Sequence, residues 1–422
     1  MHAVKPSSFC RSCTANLRRT SHRPRAAVRA GSSLASPKAN NFAQYFFHND
    51  RWGPLHRSHY QDASPSTPIS QALTPQSSTI RAFKVSETLT PRRLLRIYAE
   101  LSKSRLTVLV VLTAMAGVAL SPLPTSLPVL LSTAAGTALC SASANALNQL
   151  QEVPFDAQMA RTRMRPLVRR AISPLHAAGF AVVTGVAGPA VLWTMVNPIT
   201  AFLGAANIAL YAGAYTWLKR RNVFSTWVGA VVGALPPLMG WTACGGQLLP
   251  SSSYPIQLFL PSFLSTTTLD LHLIDNPLAP LALFMLLYSW QFPHFNSLSH
   301  LVRESYAQAG YRMLSVVSPA KNALVSLRHT LLLIPVCSVL VPISGLTTWA
   351  FAIASVIPNA IWAEAAWRFW RSGSEKHARK VFQHSLWYLP VMLGLMMFCK
   401  RGMDWGSWIG VRAEEHEEDV RE

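Results

Sequence analysis

Three oxygen-bearing side chains recur at a four-residue spacing in one segment of this chain. Asn148, Glu152 and Asp156 fall on one face of a helix, drifting by about 40° per step. Hard oxygen ligands that converge in this way suit Mg²⁺, which proteins bind through a few carboxylates, waters and substrate phosphates. Pro154 lies within the segment, and we expect it to break or kink the helix because it lacks a backbone N–H.

Two arginines follow directly after this acidic face. Arg161 and Arg165 stand in the run Arg161-Thr-Arg-Met-Arg165-Pro-Leu. A metal site next to guanidinium groups is what a diphosphate requires, since the cations bridge its oxygens and the arginine forks hold the others. The alternative is a solvated loop of positive charge, an interpretation that suits Arg169 and Arg170. Only seven acids occur between residues 101 and 400, so a pair at helical spacing is informative.

The elements that must position these residues are apolar. Half of the 422 residues are hydrophobic and 13% are charged, against roughly 25% charged in soluble domains. Beyond residue 104 the chain contains nine apolar runs that approach the roughly 20 residues needed to cross a bilayer. The sequence therefore predicts an all-α polytopic membrane protein with about nine transmembrane helices. We place them at 104–121, 126–147, 173–195, 198–217, 225–245, 277–298, 322–343, 347–367 and 381–399.

The loops between these runs fall into two sets that differ in charge. Basic residues occur in the approach to the first run and in loops at 161–170, 219–221, 303–321 and 368–380. The remaining loops contain no Lys or Arg, at 122–125, 196–197, 246–276 and 344–346. By the positive-inside rule the basic loops face one compartment, and an odd number of spans puts the carboxyl end on the other side. Arginines and leucines at helical spacing in residues 89–105 predict an amphipathic helix on the membrane surface.

The first 85 residues have the composition of an import signal. They contain twelve Lys or Arg and two acids, Asp50 and Asp62, and they are rich in Ser, Pro and Ala. This segment supplies half of the net charge of +20, so the total charge does not indicate a nucleic-acid binder. We predict a mitochondrial presequence with a disordered linker at 1–85, a membrane domain at 86–400 and an acidic tail at 401–422. A basic tail that stays attached and a chloroplast address are the alternatives.

The residues around the acidic face resemble a known family. The pattern N-x3-E-x3-D-x2-M-x-R-T-x2-R-P-L, from Asn148 to Leu167, is similar to the first aspartate-rich motif of the UbiA-type intramembrane prenyltransferases. Within that family it resembles the mitochondrial protoheme IX farnesyltransferases. The resemblance extends from about residue 95 to 400. Further matching segments are Lys103-Ser-Arg105-Leu-Thr, Thr113-Ala-Met-Ala-Gly117, Tyr215-Thr-Trp-Leu-Lys219, Gly229-Ala-Val-Val-Gly-Ala-Leu-Pro-Pro237 and Trp290-Gln-Phe-Pro-His294.

The resemblance implies an activity and a set of site residues. The implied reaction transfers the farnesyl group of farnesyl diphosphate to a vinyl group of heme b, giving heme O for cytochrome oxidase assembly. By similarity, Asn148, Glu152 and Asp156 would hold Mg²⁺. The side chains implied to bind the diphosphate are those of Lys103, Arg105, Arg161, Arg165 and Lys219. The implied partners besides the substrates are the lipid bilayer and, among proteins, heme A synthase or oxidase assembly factors. The implied location is the mitochondrial inner membrane, with the site facing the matrix and the carboxyl end facing the intermembrane space.

Three more positions carry weaker implications. Gln291 and His294 would lie near heme, with His294 facing the iron, a propionate or the diphosphate. The alternative for His294 is a hydrogen-bonded structural role. The chain departs from the family pattern at Ser305, where the family has Asp before the tyrosine, and the neighbouring Glu304 is the candidate for a second acidic site.

Two other functions remain open at this point. A quinone-type prenyltransferase shares the carboxylate motif but acts on a phenolic ring, and the run from Trp290 to His294 favours heme instead. A transporter or assembly scaffold would use Asn148, Glu152 and Asp156 as an ion site. The sequence contains no evident inverted repeat of the kind that such transporters carry.

Overall fold

The computed structural model of the chain describes residues 90–252, 254–261, 263–264 and 275–403. The predicted presequence and linker, Asp270 and the acidic run of the tail lie outside these described residues. We number the described helices in chain order. They are α1 Pro91–Leu101, α2 Ser104–Leu120, α3 Leu127–Asp156, α4 Pro174–Met195, α5 Pro198–Leu218, α6 Ser225–Ala243, α7 Leu278–Leu301, α8 Arg303–Gln308, α9 Leu314–Val317, α10 Pro319–Ile343, α11 Ala350–Ser372 and α12 Glu375–Phe398.

Several of these helices begin at signals that are legible in the sequence. Asn197 precedes Pro198, and its Oδ1 accepts a hydrogen bond from Thr200 N at 2.8 Å. Ser173 precedes Pro174 in the same way and accepts from His176 N at 3.2 Å. A capping oxygen satisfies a free N–H of the first turn, and proline is preorganised for that turn. The Asn197-Pro198 pair therefore accounts for the short connection between α4 and α5.

All nine predicted apolar runs are helical, and the all-α membrane fold is confirmed. In the described part of the chain, six helices are long and apolar enough to span a membrane: α3, α4, α5, α10, α11 and α12. A seventh span exists if α1 and α2, which meet at 58°, count as one bent span. The long helices α6 and α7, which carry Pro236, Pro237 and Gln291, are not among these six. A total of nine spans therefore stays a prediction.

The helix α7 packs against α6, α10 and α12 and contributes Leu283, Leu286 and Leu287 to the main apolar core. The helices α2 and α6 approach each other closely at glycines. A Cβ atom added to Gly117 would lie 2.1 Å from Pro237 O, and one added to Gly240 would lie 1.9 Å from Ala114 O. Small residues let membrane helices pack backbone to backbone.

The end of the helices opposite the acidic residues is fastened by polar contacts. Lys400 Nζ donates to Ala119 O at 2.8 Å and to Ser121 O at 2.7 Å, which ties the chain just after α12 to the end of α2. Asn276 donates to Gln257 O at 2.7 Å and to Ser344 O at 3.0 Å. These polar contacts therefore join the helices at the end that lies opposite the acidic residues.

Candidate active site

The helix α3 carries the three predicted metal ligands on one buried face. Asn148, Glu152 and Asp156 are only 2%, 1% and 1% exposed. The helix runs through Asp156, so the expected break at Pro154 is wrong. Pro154 lies in the last turn, where it removes one hydrogen bond, and the next bond, from Ala157 N to Val153 O, forms at 3.1 Å. Continuous helical geometry is what brings the three oxygens into line.

Each of these three side chains is paired with a different cation. Lys103 Nζ donates to Asn148 Oδ1 at 2.9 Å, and Lys219 Nζ donates to Glu152 Oε1 at 2.8 Å. Arg165 forms an ion pair with Asp156, and its Nη1 also lies 3.7 Å from Glu152 Oε2. We call these three pairs the cation ladder. The predicted metal ligands thus face three of the five predicted diphosphate-binding residues.

Three separate parts of the chain deliver the cations to the ladder. Lys103 lies in the break between α1 and α2 with a left-handed backbone, at φ 48°, which is uncommon for residues other than glycine. Lys219 follows α5, in which Ala209–Tyr215 is a π-helical segment of a kind often found at functional sites. Arg165 lies in the turns after α3. The cation ladder therefore depends on the packing of these three parts of the chain against α3.

Tyrosines that were not predicted surround the ladder. Lys103 Nζ donates to Tyr211 OH at 3.3 Å, and Lys219 Nζ lies 4.5 Å from the ring centroid of Tyr311. The rings of Tyr211 and Tyr215 stack with centroids 5.2 Å apart. The spacing of Tyr211, Tyr215 and Lys219 is again four residues, and this signal in the sequence could have identified both rings. Tyr311 follows a short loop and carries no such signal.

Electrostatics hold Lys219 in its charged form. Burial alone lowers the pKa of Lys219, but the Glu152 carboxylate more than offsets that effect, so the pKa of Lys219 stands well above its ordinary value. Burial raises the pKa of Tyr311, so its hydroxyl stays protonated. Asp156 Oδ1 is buried and has no hydrogen-bond partner in the described residues. A buried carboxylate oxygen without a partner is costly unless a cation binds it.

The remaining predicted residues lie outside the ladder. Arg161 is exposed and donates to Tyr306 OH at 3.3 Å, which places it beside the site. Arg105 and Glu304 are also exposed, and neither contacts the ladder through a hydrogen bond or ion pair among the described residues. The segment that follows α8, the helix of Glu304, does reach the site, because Arg312 N donates to Lys219 O at 3.2 Å.

A large apolar cavity adjoins the ladder. Its volume is about 560 Å³, within the range typical of ligand sites, and α2, α5, α6, α7 and α12 line it. Tyr211 and Tyr215 belong both to its wall and to the surroundings of the ladder. Gly233 leaves room for Gln291, because an added Cβ would lie 2.1 Å from Gln291 Oε1. The polar cluster and the apolar cavity therefore form one continuous site.

Both predicted heme-proximal residues line this cavity. Gln291 Nε2 donates to Ala230 O at 2.9 Å and to Leu287 O at 3.0 Å, which fixes the amide against α6. The His294 ring stacks on Trp290 with centroids 4.7 Å apart and a plane angle of 18°. Both side chains are half-buried, so each can contact a molecule in the cavity.

This arrangement defines a membrane-embedded site for an amphiphile, with cations for an anionic head and an apolar chamber for a long tail. The chain belongs to the UbiA prenyltransferase family, whose model matches residues 110–389, and it is accordingly a prenyltransferase. A relative from Neurospora crassa, named mitochondrial protoheme IX farnesyltransferase, is 43% identical over 374 residues. The human protein of the same name is 46% identical over 305 residues.

The matches differ in how much of each protein they cover. The Neurospora match covers 84% of this chain and 71% of that relative, and the human match covers 72% of this chain and 62% of that relative. A solved structure described as digeranylgeranylglyceryl phosphate synthase has a TM-score of 0.56 at 15% identity, covering 72% of this chain and 98% of its own. That likeness supports the fold alone.

Proposed function

We propose that this protein transfers the farnesyl group of farnesyl diphosphate to a vinyl group of heme b and so makes heme O. The names of the relatives support this acceptor and donor. The observation that carries the proposal is the cation ladder beside an apolar cavity whose wall includes His294. A diphosphate head and a farnesyl tail need these two environments side by side.

Asn148, Glu152 and Asp156 are the residues that would hold Mg²⁺. The donor set fits this ion, because it offers two carboxylates and an amide oxygen, and Asp156 Oδ1 is buried without a partner. When bound, the metal supplies positive charge that stabilises the departing diphosphate. Glu304 is exposed, so we assign it no part in this metal site.

The cations of the ladder serve the diphosphate. Lys103, Lys219 and Arg165 would turn from the α3 oxygens toward the phosphate oxygens, and Arg161 would reach them from the exposed side. Their charge stabilises the pair of electrons that leaves with the diphosphate as the allylic C–O bond breaks.

The cavity protects the reaction that follows. Its apolar wall would exclude water from the allylic carbon, and the aromatic rings of Tyr211 and Tyr215 in that wall would stabilise the positive charge that develops. The vinyl group of heme supplies the electron pair of the new C–C bond. Water then adds to the resulting cation and loses a proton, which gives the hydroxyethylfarnesyl product.

We further propose the mitochondrial inner membrane as the location, with the ladder on the matrix side and the carboxyl end in the intermembrane space. The basic loops and the names of the relatives support this. The predicted presequence at 1–85 and acidic tail at 401–422 belong to the same proposal. Heme A synthase or oxidase assembly factors are the expected protein partners, because heme O must be passed on.

The test is chromatography of extracted hemes after purified full-length protein is incubated with heme b, farnesyl diphosphate and Mg²⁺. We expect heme O from the wild type and none from Asp156→Ala, from Arg165→Ala or with a chelator. Arg169→Ala is the matched control, because Arg169 pairs with Glu100 on the surface, away from the ladder. Prenylation of a phenolic acceptor but not of heme would instead establish the quinone-type function. No prenylation of either would favour an ion site.

A further inference from the structure

The last helix places a serine against the imidazole of His294. Ser385 in α12 is fully buried, and its Oγ lies 2.7 Å from His294 Nδ1 and 2.6 Å from Phe382 O. The backbone carbonyl of Ser385 also accepts a hydrogen bond from Trp290 Nε1 at 3.1 Å. Two side chains of α7, one turn apart, therefore meet the same residue of α12.

The neighbours of Ser385 determine the tautomer of His294. A hydroxyl group has one hydrogen, and Phe382 O can only accept, so the hydroxyl hydrogen lies on that contact. Ser385 Oγ must then accept from His294, which requires the imidazole proton to be on Nδ1. We assign the tautomer from this network. Nε2 of His294 is consequently the nitrogen with a free lone pair.

That lone pair is available to the cavity. The His294 ring lines the cavity, and Nε2 has no hydrogen-bond partner within the described part of the chain. Adding a second proton would put a positive charge on a half-buried ring in a largely apolar cavity, which is costly. A propionate or a diphosphate needs an N–H donor, and Nε2 of His294 carries no hydrogen in this tautomer. A metal ion that accepts an electron pair finds a suitable ligand.

We propose that Ser385 is a positioning residue that holds His294 in the tautomer and ring orientation in which Nε2 coordinates the iron of the heme substrate. This inference rests on the proposed function, because heme is the substrate that brings iron to the cavity. A partner that accepts from the other ring nitrogen of a metal-bound histidine makes the ligand more basic and typically changes metal affinity by about 10- to 100-fold.

The chain offers variants that isolate the hydroxyl group. Ser385→Ala removes Oγ but keeps the backbone carbonyl that accepts from Trp290, and Ser385→Thr keeps a hydroxyl at the same position. His294→Gln removes the ligand itself. Ser326→Ala is the matched control, because Ser326 is an equally buried helical serine whose Oγ donates only to Asn322 O, at 3.2 Å.

The experiment is titration of the purified full-length protein in lipid nanodiscs with heme b, with resonance Raman spectra of the ferrous complex. We expect an iron–histidine stretching band in the wild type, in Ser385→Thr and in Ser326→Ala. Ser385→Ala should shift this band to lower frequency and weaken heme binding by about 10-fold. His294→Gln should abolish the band. Formation of heme O is measured in parallel on the wild type.

Two results would overturn the inference: a band that persists in His294→Gln, or a Ser385→Ala variant with unchanged band and unchanged affinity. The parallel assay separates this failure from failure of the proposed function. A wild type that makes heme O without an iron–histidine band refutes the coordination but keeps the reaction. A wild type that shows the expected band and variant pattern but makes no heme O refutes the reaction and supports the coordination.

Discussion

Replacing Lys219 by methionine should destabilise the protein by about 3 kcal/mol, because it leaves the buried Glu152 without its closest cation. At an effective dielectric constant of about 20, opposite charges 2.8 Å apart attract by about 6 kcal/mol. Arg165 remains 3.7 Å from Glu152 and supplies part of the missing charge. The loss therefore falls at the low end of the roughly 3–5 kcal/mol that breaking a buried pair costs.

The assay is equilibrium unfolding in mixed micelles, read by tryptophan fluorescence, on the wild type and three variants. The double variant Lys219→Met with Glu152→Gln should recover most of the lost stability, since no unpaired charge remains, yet it should stay inactive in the heme O assay. Arg169→Met is the control. It breaks the pair with Glu100, whose members are 38% and 39% exposed, and it should change stability by less than about 1 kcal/mol.

The reasoning would be refuted if Lys219→Met were as stable as Arg169→Met. It would be refuted equally by a double variant no more stable than Lys219→Met, because the cost would then come from lost packing and not from the charge left on Glu152. Recovery of activity in the double variant would remove Lys219 from the diphosphate site.

Other parts of the structure give further expectations. Gly233→Ala should push Gln291 into the cavity, which should lower stability by about 1–3 kcal/mol and also lower the heme O yield. Gly213→Ala is the control and should not lower the yield, because its added Cβ meets nothing within 4 Å. Lys400→Met should lower the thermal midpoint without changing the heme O yield, since its bonds to Ala119 O and Ser121 O lie at the far end. Burial raises the pKa of Asp275 above its ordinary value of 3.8, so the contribution of this residue to stability falls as pH rises through the folded pKa. The thermal midpoint of Asp275→Asn should therefore exceed that of the wild type at pH 7 but not at pH 4. Mn²⁺, observed by electron paramagnetic resonance, should bind at least 10-fold more tightly with diphosphate than without it, and a coupling below twofold would contradict the partner exchange in the ladder.

The sequence predicts the helices and one side of the site, because both depend on local periodicity. The acidic face of α3 is legible from a four-residue spacing, and the starts of α4 and α5 from Ser-Pro and Asn-Pro pairs. The pairing of Lys103 with Asn148 and of Lys219 with Glu152 is not legible, because it joins residues 45 and 67 positions apart. The expected break at Pro154 does not occur, because proline removes only the one bond that its own nitrogen would donate, and the helix continues to Asp156.

The charges of the ladder explain why metal and diphosphate should bind together. With Lys103 protonated, the two carboxylates and three cations of the ladder carry one excess positive charge when no ligand is bound. Mg²⁺ alone would add two more positive charges to a buried site and would compete with Lys219 and Arg165 for the same oxygens. A prenyl diphosphate trianion with its Mg²⁺ carries one net negative charge, so the loaded site is neutral and each displaced cation gains phosphate oxygens. Because burying net charge is far more costly than burying a neutral assembly, the two ligands should enter as one complex.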